Sequence, residues 1–202
     1  MNAVVPRPTT WSARAARLGL KLCGGWTFVP SPMPPDRAVM LALPHTTNTD
    51  GLLLVLMTRS IGVDANWMVK DFWLKPPFGW IVGRVGGVPV DRRKATGMVG
   101  QMVERFDRQG RFLLMIPPEG TRGLTEHWKS GFHRIAVDAD VVVVPTFLDY
   151  RTKQAGFGAA ITMTGDRSTD MDRIRDHYEQ LGGAAMAKHP EKFGPIRLDH
   201  ED

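Results

Sequence analysis

Along this chain apolar positions occur alternately as short unbroken runs and at helical spacing. Ala38–Leu43 is a continuous apolar run closed by Pro44, and Phe112–Ile116 and Val141–Val144 are two more. Runs of this length read as strands buried on both faces. Trp67–Val69, Gly87–Val90 and Phe157–Met163 are further strand candidates, and Pro89 marks an edge or a bulge. Helical periodicity links Trp11, Ala15, Leu18 and Leu22, with Arg14, Arg17 and Lys21 on an adjacent face and Gly24 and Gly25 ending the segment. The same spacing recurs through Leu52, Leu53, Leu56 and Met57, and through Ala95, Met98, Val99, Met102, Val103 and Phe106, which Gly110 closes. It returns through Phe132, Ile135, Ala136 and Ala139 behind a Ser130 cap, and through Met171, Ile174, Tyr178 and Leu181. The alternation predicts one α/β domain, a mainly parallel sheet with helices on both faces. Residues 1–35 read as an N-terminal arm, a basic amphipathic helix and a proline-rich link; residues 36–202 read as the domain proper.

In such sheets chemistry gathers in loops beyond the carboxyl ends of the strands. Two polar loops fall there, Pro44–Asp50 and Pro117–Gly123. The first holds His45 and Asp50, five apart. A continuous helix would separate them by about 140°, so they meet only where the chain turns. There the carboxylate can accept a hydrogen bond from one imidazole nitrogen, leaving the other to take a proton. Imidazole titrates near neutrality and suits a general base. The bland alternative makes Asp50 a helix cap and His45 a strand-end residue. The second loop carries Glu119, Gly120, Thr121 and Arg122: a glycine permitting close backbone approach and a planar fork suited to phosphate or carboxylate. A third segment, Gly86–Arg93, sets Arg92 at a helix start, where an anion is favoured. Trp67, Phe72, Trp73, Phe78 and Trp80 crowd the stretch between; they read as core, or else as the lining of an apolar channel or a bilayer-interface patch, with Lys70 and Lys75 among them able to meet phosphates.

Composition narrows the partners. Hydrophobic residues make up 43 % and charged residues 23 %, which excludes a disordered chain. A net charge of +5 attracts anions, but the basic residues are scattered and no recognition motif appears, so nucleic acid is not expected as a partner. The single cysteine, Cys23, allows no intrachain disulfide and no Cys/His metal spacing, and no metal is expected. No apolar run is long enough to cross a bilayer, and none reads as a secretory signal. The expected setting is cytoplasmic, or peripheral on the inner face of the cell membrane. No Gly-x-Ser-x-Gly elbow occurs, which disfavours a serine hydrolase.

Taken in order, these segments resemble the lysophospholipid acyltransferase family, which includes bacterial 1-acylglycerol-3-phosphate acyltransferases. The His-x4-Asp motif is matched by His45 and Asp50, the glycine-to-arginine motif by Gly87 and Arg92, and Pro-Glu-Gly-Thr-Arg by Pro118–Arg122. Val143, Val144 and Pro145 match the hydrophobic strand motif, and Trp128–Phe132 looks like the segment after the third. Pro44 stands where members often have Asn, and Gly123 where a serine is common. The resemblance implies O-acyl transfer from acyl-CoA or an acyl carrier protein to an anionic lyso-lipid hydroxyl, with no permanently bound cofactor. It implies that His45 deprotonates the acceptor and Asp50 orients it. Glu119, Gly120 and Arg122 then bind the acceptor's phosphate end, with Arg92 assisting; Thr121 in the same turn and Lys70, read from the residues themselves, complete the expected binding set. Backbone N–H groups after Pro44 are the natural oxyanion donors. A non-catalytic lipid- or carrier-binding protein on the same fold, and acylation of a non-glycerol lipid, are the rival readings. The Trp11–Cys23 helix suits an anionic membrane surface, or else packs on the domain with its basic residues solvated.

Overall fold

The computed structural model describes residues 8–70, 75–77, 79–90 and 97–199, with nothing described of the Lys70 side chain. Seven strands form one sheet: β1 (Thr27–Phe28), β2 (Arg37–Leu43), β3 (Ala65–Lys70), β4 (Gly87–Val90), β5 (Phe112–Ile116), β6 (Val142–Asp149) and β7 (Gln154–Phe157). Their order is β1-β7-β6-β2-β5-β3-β4. From β6 to β4 all pairs are parallel; β7 runs antiparallel to β6 and carries β1 beside it. The parallel α/β prediction therefore holds for the five strands from β6 to β4. The helices are α1 (Trp11–Leu22), α2 (Asn48–Ser60), α3 (Gly79–Arg84), α4 (Gly97–Arg108), α5 (Gly131–Asp138) and α6 (Arg167–Leu181).

Alternation along β2 divides the core. Val39, Leu41 and Leu43 point into one layer with Met102, Phe106, Phe132, Ile135, Ile174 and Tyr178, from α4, α5 and α6. Ala38, Met40 and Ala42 point into the other, with Leu20 of α1 and Leu53, Leu54 and Met57 of α2. Covered on both sides, β2 and β5 are buried throughout apart from Arg37, which explains their unbroken apolar sequences. Pro89 lies in the edge strand β4, where a missing N–H costs no ladder bond.

Two expectations change, and one open alternative is decided. The strand expected over Phe157–Met163 lies earlier, at Gln154–Phe157; beyond it the Gly158 N–H turns to the Pro145 carbonyl, and Ile161 keeps only a single bridge to Val143. Ser130 occupies the N-cap position of α5 without its side chain making a cap bond. The open alternative concerns which face of α1 packs on the domain. Its Ala13, Ala16 and Leu20 are buried, and Gly19 lies close against Leu56 of α2. The apolar stripe read from the sequence, Trp11, Ala15, Leu18 and Leu22, faces the opposite way and is exposed. Small residues won the inward face because they let two helix backbones approach closely. Arg17 is not simply solvated either, since its guanidinium donates to the Ser60 and Pro8 carbonyls.

Candidate active site

The parallel registers bring the two polar loops together. Leu41 of β2 lies opposite Ile116 of β5, and Leu43 opposite Phe147 of β6. Both loops therefore leave neighbouring strands at the same end of the sheet, where parallel sheets build their sites.

At the mouth of β2, Thr47 caps α2 and Asp50 occupies the third helical position. Asp50 is wholly buried. Its Oδ2 accepts the backbone N–H of Thr46 at 2.7 Å and of Thr47 at 2.8 Å, and the Thr46 hydroxyl at 3.3 Å. Its Oδ1 accepts the Thr47 hydroxyl at 2.7 Å and the Tyr150 hydroxyl at 2.5 Å. A buried carboxylate needs such donors, since removing it from water otherwise costs several kcal/mol.

Those bonds alter the expected pairing. No hydrogen bond joins Asp50 to His45, whose Nδ1 is buried without a partner. The carboxylate instead acts on the imidazole through its field. Burial and then the Arg122 guanidinium push the His45 pKa below 6.5, and Asp50 pulls in the opposite direction. The ring is therefore neutral at pH 7, the state a base requires. The oxyanion expectation changes too, because the first two N–H groups of the loop after His45 already serve Asp50.

The β5 loop supplies the other wall. Glu119 is 2 % exposed, and neither of its oxygens finds a hydrogen-bond donor. Burial, followed by repulsion from Asp50, raises its pKa from 4.5 to about 7; the nearby His45 backbone N–H tempers the rise. Gly120 sits at φ +67°, with its N–H bonded to the Pro117 carbonyl and the Lys129 stem close above it. The Thr121 hydroxyl accepts the Gly123 N–H at 3.2 Å and closes the turn. Arg122 is exposed, and its charge reaches His45. The turn is anchored below by the Lys129 N–H on the Pro118 carbonyl.

The structure thus gathers His45, Asp50, Glu119, Gly120, Thr121 and Arg122 at one end of the sheet. Arg92 and the Lys70 side chain lie outside the described residues, as do Phe72, Trp73 and Phe78. Sequence reading missed Tyr150, one residue beyond β6, which no motif flags. It also missed a second His–Asp pair, His133 on α5 and Asp170 on α6, joined at 2.8 Å. That pair is buried and ties two helices together, with Asp170 also accepting from Thr164 and Gly165.

A family model described as Acyltransferase matches residues 29–149. Among solved structures, the crystal structure of the 1-acyl-sn-glycerophosphate (LPA) acyltransferase PlsC from Thermotoga maritima aligns with a TM-score of 0.58 at 16 % identity. The alignment covers 84 % of this chain and 78 % of that one; at such identity it speaks for the fold. No curated protein matches.

Proposed function

This chain belongs to the lysophospholipid acyltransferase family, and from that membership we propose that it moves a fatty acyl group from a thioester to the hydroxyl of an anionic lyso-lipid, with 1-acylglycerol-3-phosphate the favoured acceptor. The observation that carries this reading is that a neutral, half-buried His45, a protonatable Glu119 and an exposed Arg122 gather at two adjacent strand ends, with the Arg122 charge reaching the imidazole.

The acceptor hydroxyl meets His45, and its phosphate end meets Arg122, with Arg92 and Lys70 as further cations toward it. Arginine's fork suits a phosphate's oxygens. Glu119 offers its two unpartnered oxygens to the acceptor, and Gly120 leaves room for that approach. As the hydroxyl oxygen forms a bond to the thioester carbonyl carbon, His45 takes its proton. The oxyanion is stabilised by the positive N-terminal end of α2, which surfaces at Asn48 and Thr49. Collapse breaks the C–S bond, and the imidazolium returns the proton to the departing thiolate of coenzyme A or an acyl carrier protein. The protein works peripherally at the inner face of the cell membrane, where its lipid acceptor resides.

His45→Ala lowers turnover by roughly 10²- to 10⁴-fold if the imidazole is the base. Labelled acyl-CoA with a panel of lyso-lipids, products read by mass, tests both this and the acceptor class. Near-normal turnover by the variant overturns the mechanism. Thioester consumption that needs no acceptor overturns transfer in favour of hydrolysis.

A further inference from the structure

Five donors hold the Asp50 carboxylate, and four of them belong to Thr46 and Thr47. Those four fix it relative to its own loop only. The fifth, the Tyr150 hydroxyl, reaches it from a hundred residues away. We infer that Tyr150 is a positioning residue of this site, its hydroxyl locking the Asp50 carboxylate, and the loop that bears it, against the end of β6 beside His45. This rests on the reading of His45 as the base.

Tyr150 is itself held on several sides. It directly follows β6, whose Phe147 lies opposite Leu43 of β2, so the backbone places it next to the His45 loop. Its N–H donates to the Met186 carbonyl at 2.9 Å. Its ring meets the buried Trp26 edge-on, with centroids 4.8 Å apart and planes at 86°. The ring thus has little freedom, and the hydroxyl points where Oδ1 lies. Burial, then the Asp50 hydrogen bond and charge, push the phenol pKa far up, so it stays a donor throughout the working range.

The consequence for catalysis is electrical. Asp50 makes no bond to His45 and influences it by charge alone. A donor on Oδ1 neutralises part of that charge. Without it, more of the negative field falls on the imidazole, and the imidazolium gains stability.

Tyr150→Phe tests this because it keeps the ring against Trp26 and removes only the hydroxyl. The expected result is a kcat about tenfold lower, the size of losing one hydrogen bond to a charged group. KM for donor and acceptor stays within about twofold, and the acid limb of the kcat–pH profile moves to higher pH. Incorporation of 3-fluorotyrosine at position 150 makes the converse test. The ring is kept, the hydroxyl is a stronger donor, and the acid limb moves to lower pH. A purely structural tyrosine would change melting temperature and leave both limbs in place. If Tyr150→Phe folds poorly, the fluorotyrosine protein decides alone, and an unmoved limb overturns the inference. His45→Ala in the same assay separates the two readings. An inactive His45→Ala beside an unchanged Tyr150→Phe sinks the role of Tyr150 only, whereas an active His45→Ala sinks the base itself.

Discussion

Glu119 shows what one residue costs the fold in order to serve a site. Its side chain is almost fully buried with no donor on either oxygen, and its pKa rises from 4.5 to about 7. In the unfolded chain the same carboxyl ionises near 4.5. Between these values the native state binds more protons than the unfolded state. Stability is therefore greatest below pH 4.5 as far as this group is concerned, and falls as pH rises toward 7. The shift corresponds to about 3 kcal/mol once both states are ionised. Urea unfolding from pH 5 to pH 8 is expected to show this loss, and Glu119→Gln is expected to remove most of the slope while lowering turnover. A variant with the same slope as the parent would show that the strain lies elsewhere. His45 has the opposite sign. Its lowered pKa gives stability present above pH 6.5 and lost as pH falls, so on the acid side of 6.5 it works against the contribution of Glu119.

At the scale of elements, the site depends on two turns with different degrees of local control. The Pro117–Gly123 turn needs a left-handed residue at Gly120, φ +67°, and a Cβ there would lie 3.1 Å from Lys129 Cγ. Gly120→Ala is expected to cost about 1–2 kcal/mol in urea unfolding, the usual penalty of that conformation for a residue with a side chain. It is also expected to raise KM for the acceptor more than KM for the thioester, because the methyl group presses on Lys129 and shifts the turn that bears Glu119 and Arg122. Equal rises in both would place the acceptor elsewhere. These turns were legible in the sequence because their chemistry is local: Thr47 and Asp50 cap a helix, and Gly120 bends a turn within a few residues. Tyr150 and Trp26 were not legible, because the bond of Tyr150 to Asp50 and the contact of Trp26 with the Tyr150 ring depend on long-range packing that no spacing encodes. The strands β1 and β7 were missed or misplaced because runs of two and four residues carry little periodicity. The short α3 escaped for the same reason. The central strands were legible since burial on both faces leaves an apolar signature that polar residues would break.

For the whole molecule, the amphipathic pattern of α1 was read correctly as a pattern and left open as to direction. Periodicity says that a stripe exists; only packing says which side it faces. Ala13, Ala16 and Leu20 lie against the domain, so Trp11 at 75 %, Leu18 at 58 % and Leu22 at 79 % exposure project away from it, beside the exposed Arg14 and Lys21. Among the described residues no helix is long and apolar enough to cross a membrane. An outward apolar stripe flanked by cations, on a chain of net charge +5, is the form of a helix lying in an anionic interface. Burying one such side chain is worth roughly 1.5–3 kcal/mol, so removing three abolishes most of the affinity that the stripe supplies. The triple variant Trp11→Gln, Leu18→Gln, Leu22→Gln is therefore expected to lose at least about tenfold in co-sedimentation with vesicles containing anionic lipid. Its melting temperature should be nearly unchanged, since all three side chains are already outside the core. Parent binding should weaken as salt is raised, because the cations act over a Debye length. Undiminished vesicle binding by the triple variant would move the docking surface off α1. The geometry also links that surface to the chemistry, since the helix runs through Gly24 and Gly25 into Trp26, whose ring rests on Tyr150, whose hydroxyl holds Asp50. The helix that bears the exposed stripe thereby shares one packed path with the carboxylate beside His45.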